Sequence, residues 1–374
     1  MPSDAPRTTP SEAGSTAAHS TGTARTYLPY LDLARVLAIL GVVAIHVVGG
    51  GVGSGEVGTA VIALDMALVV AVPVFFMISG ALTLDPRAHS RGPGAFLLRR
   101  ARRIIPALVF WSAFYIIAIR GMVSGRDISL RELAEMIITG HTYTHLYFLF
   151  AIAGLYLIAP LVQPFLAPNE KVRTWVLGSA ACVWAVGVMA IGQAHEAGLG
   201  SSEPVQIGTF TFFLVYLGYF VLGRALVIRP IPRWAAVLGL VSVPAFIAVI
   251  TWIFITGEQM AEHGRPAVWA SVLAPSPVAL PVMAYAVTLM ASVSSLCRTW
   301  RVSERTEKVL RTLGEASFGI YLVHFAVLVI LRATVPALDA YVPGPMAVTW
   351  CLTVLISAAI ALIGRRVPGL RLVL

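Results

Sequence analysis

Charge is scarce in this sequence. Charged residues make up 12% of its 374 residues, whereas hydrophobic residues make up 58%. A soluble domain carries about 25% charged residues, so the composition excludes a soluble globular protein, and the mean hydropathy of +0.83 agrees. The chain is therefore predicted to be an integral membrane protein with an all-α fold, a bundle of transmembrane helices.

Cysteine and lysine are also scarce. Cys182, Cys297 and Cys351 are odd in number and far apart, so they indicate neither a disulfide framework nor a metal site. Of the 27 basic residues, only Lys171 and Lys308 are lysine. The formal charge of +9 does not indicate nucleic-acid binding, because membrane topology explains how the basic residues alternate between loops.

The chain divides into a tail, a membrane domain and a short second tail. Residues 1–26 are rich in Ser, Thr, Ala and Pro without apolar periodicity, which predicts a disordered cytoplasmic tail. No signal peptide is expected, because the first apolar run is too long and no small-residue cleavage site follows it. We expect the membrane domain at 27–366 and the second tail at 367–374.

The membrane domain contains ten apolar runs. Arginine-rich loops alternate with loops that have few or no basic residues, such as 49–56 and 194–207. By the positive-inside rule, the arginine-rich loops and both termini face the cytoplasm. The plasma membrane is the expected location. The ten runs are 28–48, 57–82, 103–120, 146–166, 174–193, 208–228, 234–256, 267–295, 314–333 and 345–363.

The first run carries ionisable residues at positions where they are costly. Arg35 and His46 are eleven residues apart, about three helical turns or roughly 16 Å along the axis, so they share one face at different depths. Asp32 lies one turn before Arg35 as an ion-pair partner. This pattern predicts a polar cavity inside the bundle. The alternative is that Asp32 and Arg35 snorkel at one end and His46 lies at the other interface.

Four further motifs follow in chain order. A Phe-Phe-x-x-Ser-Gly segment occupies 75–80, and an arginine motif precedes a proline in 96–108. A His-Leu-Tyr-Phe-Leu segment opens the fourth run at 145–149, and Ser-x-x-x-Tyr-Leu-x-His occupies 317–324. Together with the arginine and histidine of the first run, this ordered set resembles the acyltransferase 3 family of polytopic membrane acyltransferases.

The resemblance implies an O-acyltransferase that moves an acyl group, expected to be acetyl, from acyl-CoA to a hydroxyl group. The implied acceptor is an envelope sugar or a glycolipid reached from the outer face. Acetyl-CoA is a co-substrate, and no permanently bound cofactor is expected. The expected partners are therefore the lipid bilayer, acyl-CoA and a saccharide or glycolipid, with no nucleic acid.

Four arginines are candidates for donor binding. Guanidinium groups hold phosphates through paired hydrogen bonds, and the resemblance favours an Arg-x-x-Arg pair. The sequence leaves open whether Arg99 and Arg102 or Arg100 and Arg103 form that pair. The positive-inside rule alone is the alternative explanation for all four.

His46 is the expected general base, because an imidazole removes a hydroxyl proton near neutral pH. Arg35 is the second expected catalytic residue and would hold the donor or polarise its thioester carbonyl, with Asp32 orienting it. No serine or cysteine nucleophile with a hydrolase-type elbow is present. Direct transfer is therefore favoured over a covalent acyl-enzyme.

Two polar residues of the second run are candidates for supporting roles. Asp65 needs a partner inside a membrane helix; His46 would serve, although a role in helix packing is an equal alternative. Ser79 is a candidate for the cavity, but serine in a membrane helix more often bonds to backbone or packs.

Three later residues complete the candidate site. His145 is expected in the acceptor pocket. Its spacing of four residues from His141 resembles a metal motif, but no third ligand is evident and no metal is predicted. Tyr321 and His324 lie one turn apart and are expected to close the cavity, with core packing as the alternative.

Two other functions remain to be weighed. A transporter or flippase for an envelope precursor would show an inverted repeat with interrupted helices in both halves, and no such repeat is evident. A non-catalytic membrane partner or sensor would use Arg35 and His46 as a structural bridge.

Overall fold

The computed structural model describes residues 27–123, 125, 129–139, 142–196, 211–263 and 268–374, and these contain helices and no strands. The predicted disordered tail at 1–26, the loop at 194–207 for the most part, and His141 lie outside the described residues. The α-helices are α1 Pro29–Ser54, α2 Thr59–Leu68, α3 Ala71–Thr83, α4 Pro93–Phe114, α5 Leu130–Thr139, α6 Tyr147–Leu166, α7 Glu170–Glu196, α8 Leu217–Ile228, α9 Arg233–Val241, α10 Val243–Glu262, α11 Val268–Leu273, α12 Leu280–Leu296, α13 Glu304–Thr334 and α14 Pro343–Gly364.

Seven helical segments of the described chain are long and apolar enough to cross a membrane, by length and composition. Each of the ten predicted runs overlaps helical residues. The two numbers differ because one segment, Tyr147–Gln193, covers two predicted runs. In addition, Phe212–Ile228 and Leu280–Leu296 are apolar but shorter than the other segments.

Two helices begin about ten residues before the apolar runs that predicted them. α4 begins at Pro93, whose fixed φ suits the first helical position. α13 begins after Ser303, whose Oγ accepts a hydrogen bond from Thr306 N at 3.2 Å, and acidic residues in its first turn favour the helix dipole. These polar turns extend each helix beyond its apolar part.

The second predicted run is divided into α2 and α3. Pro73 has no N–H to donate, and its ring conflicts with the carbonyl of Val69 in a continuous α-helix. The helix is accordingly interrupted at residues 69–70. Phe75 and Ser79 lie on α3, after this interruption.

Close backbone contact between α3 and α8 holds this part of the bundle together. A Cβ atom added at Gly80 would overlap the Phe220 carbonyl, and one at Gly223 would overlap the Met77 carbonyl. Small residues allow membrane helices to approach in this way. α1 packs against both α3 and α13, so these helices surround one interior region.

Candidate active site

A basic cavity of about 480 Å³ opens at one end of the bundle, between α1, α3, α4, α6 and α13. Its polar lining is dominated by guanidinium groups, and its inner part is aromatic. A cavity with this lining suits an anionic ligand whose uncharged part lies deeper in the bundle. The lining includes Arg35, Phe75, Ser79, Asp85, Arg87, Arg99, Arg100, Arg103, Phe148, Tyr156 and Tyr321.

The predicted ion pair between Asp32 and Arg35 is present. Arg35 Nη1 lies 3.1 Å from Asp32 Oδ1, and the two side chains are 21% and 17% exposed. A Cβ at Gly314 would lie 2.9 Å from Asp32 Oδ1, so the close approach of α13 confines the carboxylate. Arg35 is thereby held in the wall of the basic cavity.

The four predicted donor arginines lie on α4 and line two adjoining cavities. Arg99, Arg100 and Arg103 line the basic cavity, and Arg99, Arg102 and Arg103 line a second cavity beside it. Arg100 lies 4.8 Å from the Tyr156 ring centroid and Arg103 lies 5.2 Å from that of Phe318. Cation–π contacts at these distances orient both guanidinium groups.

A buried arginine of α8 holds one wall of the basic cavity in place. The helix α8 continues to Ile228, so Arg224 lies inside it and is 8% exposed. Its Nη1 lies 3.2 Å from Asp85 Oδ2, and its Nε lies 2.7 Å from Glu170 Oε1. Buried charges need such partners, and this network fixes Asp85 in the wall of the basic cavity.

Three histidines from distant parts of the chain meet deeper in the bundle, and we refer to His46, His145 and His324 as the histidine cluster. The ring centroid of His46 lies 5.3 Å from that of His324 and 6.2 Å from that of His145. His145 and His324 are 5.1 Å apart. Phe325 packs on His46 at 4.8 Å and on His145 at 5.3 Å.

Backbone contacts determine the tautomer of His324. Its Nδ1 lies 2.7 Å from the Tyr321 carbonyl oxygen, which accepts only, so Nδ1 carries the proton. The lone pair of the neutral ring is then on Nε2. Within the described structure, this atom and both ring nitrogens of His145 are buried without a hydrogen-bond partner. Such groups are costly, and they identify a place where a polar ligand would be stabilised.

An aromatic layer, formed by Phe75, Phe148 and Tyr321, separates the basic cavity from the histidine cluster. All three residues line the cavity. Phe148 lies 5.4 Å from Tyr321, and the Tyr321 ring lies 5.4 Å from that of His145. The Tyr321 hydroxyl also donates a hydrogen bond to the His145 carbonyl. The layer is therefore one side chain thick and is fixed to the cluster behind it.

The sequence predicted one polar cavity shared by Arg35 and His46, whereas in the structure the aromatic layer lies between these two residues. Arg35 lines the basic cavity, but His46 does not. Helical periodicity placed both residues on one face of α1. It contained no information about side chains of α3, α6 and α13 that enter the space between them.

The remaining predicted residues have distinct environments. Ser79 lines the basic cavity. Asp65 does not pair with His46, because its Oδ1 is buried without a partner among the described residues. No group of three or more His, Cys, Asp or Glu side chains in the described chain is arranged to hold a metal ion.

The bundle and its interior polar groups define an integral membrane protein with a site that extends from one end towards its centre. The family model for the acyltransferase 3 family, described as an acyltransferase domain, matches residues 28–365. The chain belongs to this family and is a membrane acyltransferase. No curated protein and no solved structure matches the chain. Among the three functions considered from the sequence, family membership supports the transferase.

Proposed function

We propose that this protein transfers an acyl group, acetyl in the first instance, from acyl-CoA to a hydroxyl of an envelope sugar or glycolipid. The observation that carries the proposal is the juxtaposition of the basic cavity and the histidine cluster across a single aromatic layer. Anionic donor groups would bind the arginines. The thioester would cross the layer to reach the imidazoles.

His46 is assigned the role of general base. It accepts the proton of the acceptor hydroxyl while the hydroxyl oxygen attacks the thioester carbonyl carbon. The carbon–sulfur bond then breaks, and the proton held by the imidazole passes to the leaving thiolate. The products are an ester and the free thiol of coenzyme A, so no oxidant, reductant or further reactant is needed.

His324 and His145 are assigned to binding the acceptor. The Nε2 lone pair of His324 follows from the hydrogen bond between Nδ1 and Tyr321. A second hydroxyl of a sugar acceptor would donate to this Nε2, and an acceptor oxygen would accept from the N–H of His145, so these nitrogens would gain the partners that they lack among the described residues. Arg35, held by Asp32, would bind the donor on the other side of the aromatic layer.

The proposal includes ten transmembrane helices with both termini in the cytoplasm. It is supported by the alternation of arginine-rich loops and by the arginines at the mouth of the basic cavity. The matched probes are Arg91→Cys and Gly53→Cys, at exposed positions, in a background without the three native cysteines. A membrane-impermeant thiol reagent applied from outside should label residue 53 only. Labelling of residue 91 alone would reverse the orientation and contradict this assignment.

The catalytic assignment is tested by incubating purified protein with acetyl-CoA labelled in the acetyl group and a panel of envelope saccharides and glycolipids. The label should appear in an ester of at least one acceptor. Label found only in free acetate would mean that the protein hydrolyses acetyl-CoA without transferring the acetyl group. Longer acyl-CoA donors in parallel reactions define the acyl group. Failure of the protein to bind or consume any acyl-CoA would overturn the proposed donor.

A further inference from the structure

A second cavity of about 760 Å³ lies next to the basic cavity, and the proposed function does not use it. Arg99 and Arg103 line both cavities. The remaining guanidinium groups of the second cavity come from Arg102 on α4 and from Arg365 and Arg371 in the segment after α14. These cationic groups therefore converge from parts of the chain more than 250 residues apart.

The segment that carries Arg371 is attached to α4 itself. Trp111 Nε1 donates a hydrogen bond to the Val373 carbonyl at 2.7 Å, and Trp111 is 7% exposed. Leu374 packs against Gly364, where a Cβ would overlap it. The positive-inside rule accounts for the number of arginines in a loop, but it does not require that distant arginines meet around one cavity.

Among the described residues that line this cavity, Glu315 is the acidic side chain, and its Oε2 lies 2.5 Å from Arg365 Nη2. Arg102 and Arg371 are exposed, and neither has a carboxylate partner among the described residues. Arg103 is oriented by Phe318, which lines the same cavity. Oriented guanidinium groups with few carboxylates favour a phosphate ligand.

We propose that the second cavity binds the 3′-phosphate on the ribose of acyl-CoA, while the diphosphate of the same molecule lies in the basic cavity. This inference rests on the proposed function. Two adjoining anionic subsites that share Arg99 and Arg103 suit one ligand with phosphates at two separate places. Inorganic phosphate or a simple phospholipid headgroup has its phosphate at one place and would occupy one subsite.

The test compares coenzyme A with dephospho-coenzyme A, which lacks the 3′-phosphate, in binding to the full-length protein in zwitterionic nanodiscs. The native protein should bind coenzyme A about tenfold more tightly, as expected for one charge-assisted contact. Arg371→Gln should remove most of this preference and leave the affinity for dephospho-coenzyme A unchanged. Arg102→Gln is a second variant with the same expectation. Arg301→Gln, exposed and remote from both cavities, is the matched control and should retain the preference.

Several results would overturn the inference. Equal affinity of the native protein for the two ligands, or equal weakening of both in Arg371→Gln and Arg102→Gln, would assign these arginines to general charge. A preference unchanged in both variants would place the 3′-phosphate elsewhere. Anionic phospholipid that copurifies with the native protein but not with Arg371→Gln, while both coenzymes bind normally, would identify a lipid site instead. Absence of binding of either coenzyme to the native protein would overturn the proposed donor as well, so the two failures are distinguishable.

Discussion

The basic cavity is lined by arginines, which stay charged at any physiological pH, whereas the histidine cluster holds imidazoles, whose charge depends on pH. The first region opens at one end of the bundle, and the second lies behind an aromatic layer. Permanent charge near solvent suits binding of an anionic donor. Neutral, buried nitrogens suit a proton transfer. The contrast suggests that binding and chemistry are assigned to different ends of one path.

The cost of the two regions also differs. The arginines have oxygen or aromatic partners, such as Thr83 Oγ1 at 3.4 Å from Arg100 Nη2, and of their atoms within the described structure Arg100 Nε is buried without a partner. The nitrogens of His145 and Nε2 of His324 are buried without partners in the described structure. A buried unsatisfied group costs about 1–3 kcal/mol. The packing of α1, α6 and α13 must offset this cost.

We expect the largest effect from the substitution His46→Ala, which should lower the turnover rate. Removal of the general base should lower the rate by roughly 10²–10⁴-fold. Affinity for coenzyme A should remain, because the arginines lie across the aromatic layer. Single-turnover transfer and coenzyme binding, measured on one preparation, separate the two regions.

The control for this variant is His263→Ala, since His263 is exposed and its ring bonds to the carbonyl of Gln259 in the preceding turn. It should behave like the native protein. A well-folded His46→Ala protein that transfers acetyl at the native rate would exclude His46 from the mechanism. Loss of stability with activity per folded molecule retained would favour the structural bridge.

The next effect concerns the basic cavity. Replacement of Arg100 and Arg103 together by Gln should weaken coenzyme A binding by at least about tenfold, since each charge-assisted contact contributes about 1.5–3 kcal/mol. Turnover at saturating donor should change little, because the lost interaction acts mainly in the ground state. Isothermal titration and saturation kinetics give the two quantities. Arg229→Gln, at an exposed position outside the cavity, should bind normally. Unchanged affinity in the double variant would mean that the positive-inside rule alone explains these arginines and that the donor binds elsewhere.

A smaller effect is expected in the layer between the regions. Tyr321→Phe loses the hydrogen bond to the His145 carbonyl, which contributes about 1 kcal/mol. We expect turnover to fall about fivefold without a change in donor affinity, because the layer positions the thioester relative to the cluster. Steady-state kinetics at several donor concentrations measure both.

Tyr285→Phe is the matched control for this loss. Tyr285 is buried, and its hydroxyl donates to the Ala67 carbonyl at 3.1 Å, away from the site. Both variants should lose similar thermal stability, and only Tyr321→Phe should lose turnover. Equal turnover in the two proteins would make the contact at Tyr321 purely structural.

The smallest expected effect is that of pH on donor binding. Arginine remains protonated throughout. Burial, the largest contribution, lowers the pKa of the nearby His89, although its hydrogen bond with the Thr83 carbonyl acts in the opposite direction. His89 therefore stays neutral at pH 7 and above, and coenzyme A affinity should be constant from about pH 7 to 9, where phosphate is fully ionised.

Turnover should respond to acid more strongly than binding does. A base must be unprotonated, so the rate should fall as the pH decreases below the pKa of the imidazole. Initial rates on the acid side, measured at saturating donor, test this sign. A rate at saturating donor that rises as the pH decreases would contradict the role of an imidazole as the base.

Several particular residues show how far prediction from sequence extends. The ion pair of Asp32 with Arg35 follows from a spacing of three residues in a helix. The network of Arg224 with Asp85 and Glu170 could not be predicted, because these partners are distant in sequence and no local pattern indicates them.

The sequence alone determined that this is a helical membrane protein with arginine-rich loops and an apolar first helix that carries ionisable residues. Hydropathy, charge and helical period are local properties of the chain, so the sequence contains them directly. Only the tertiary structure decided that His46, His145 and His324 meet, that Phe148 and Tyr321 separate them from Arg35, and that Arg371 joins the arginines of α4. These contacts join residues up to about 280 positions apart. They depend on how the helices cross and on which side chains fill the space between them, and that is a property of packing rather than of any single segment.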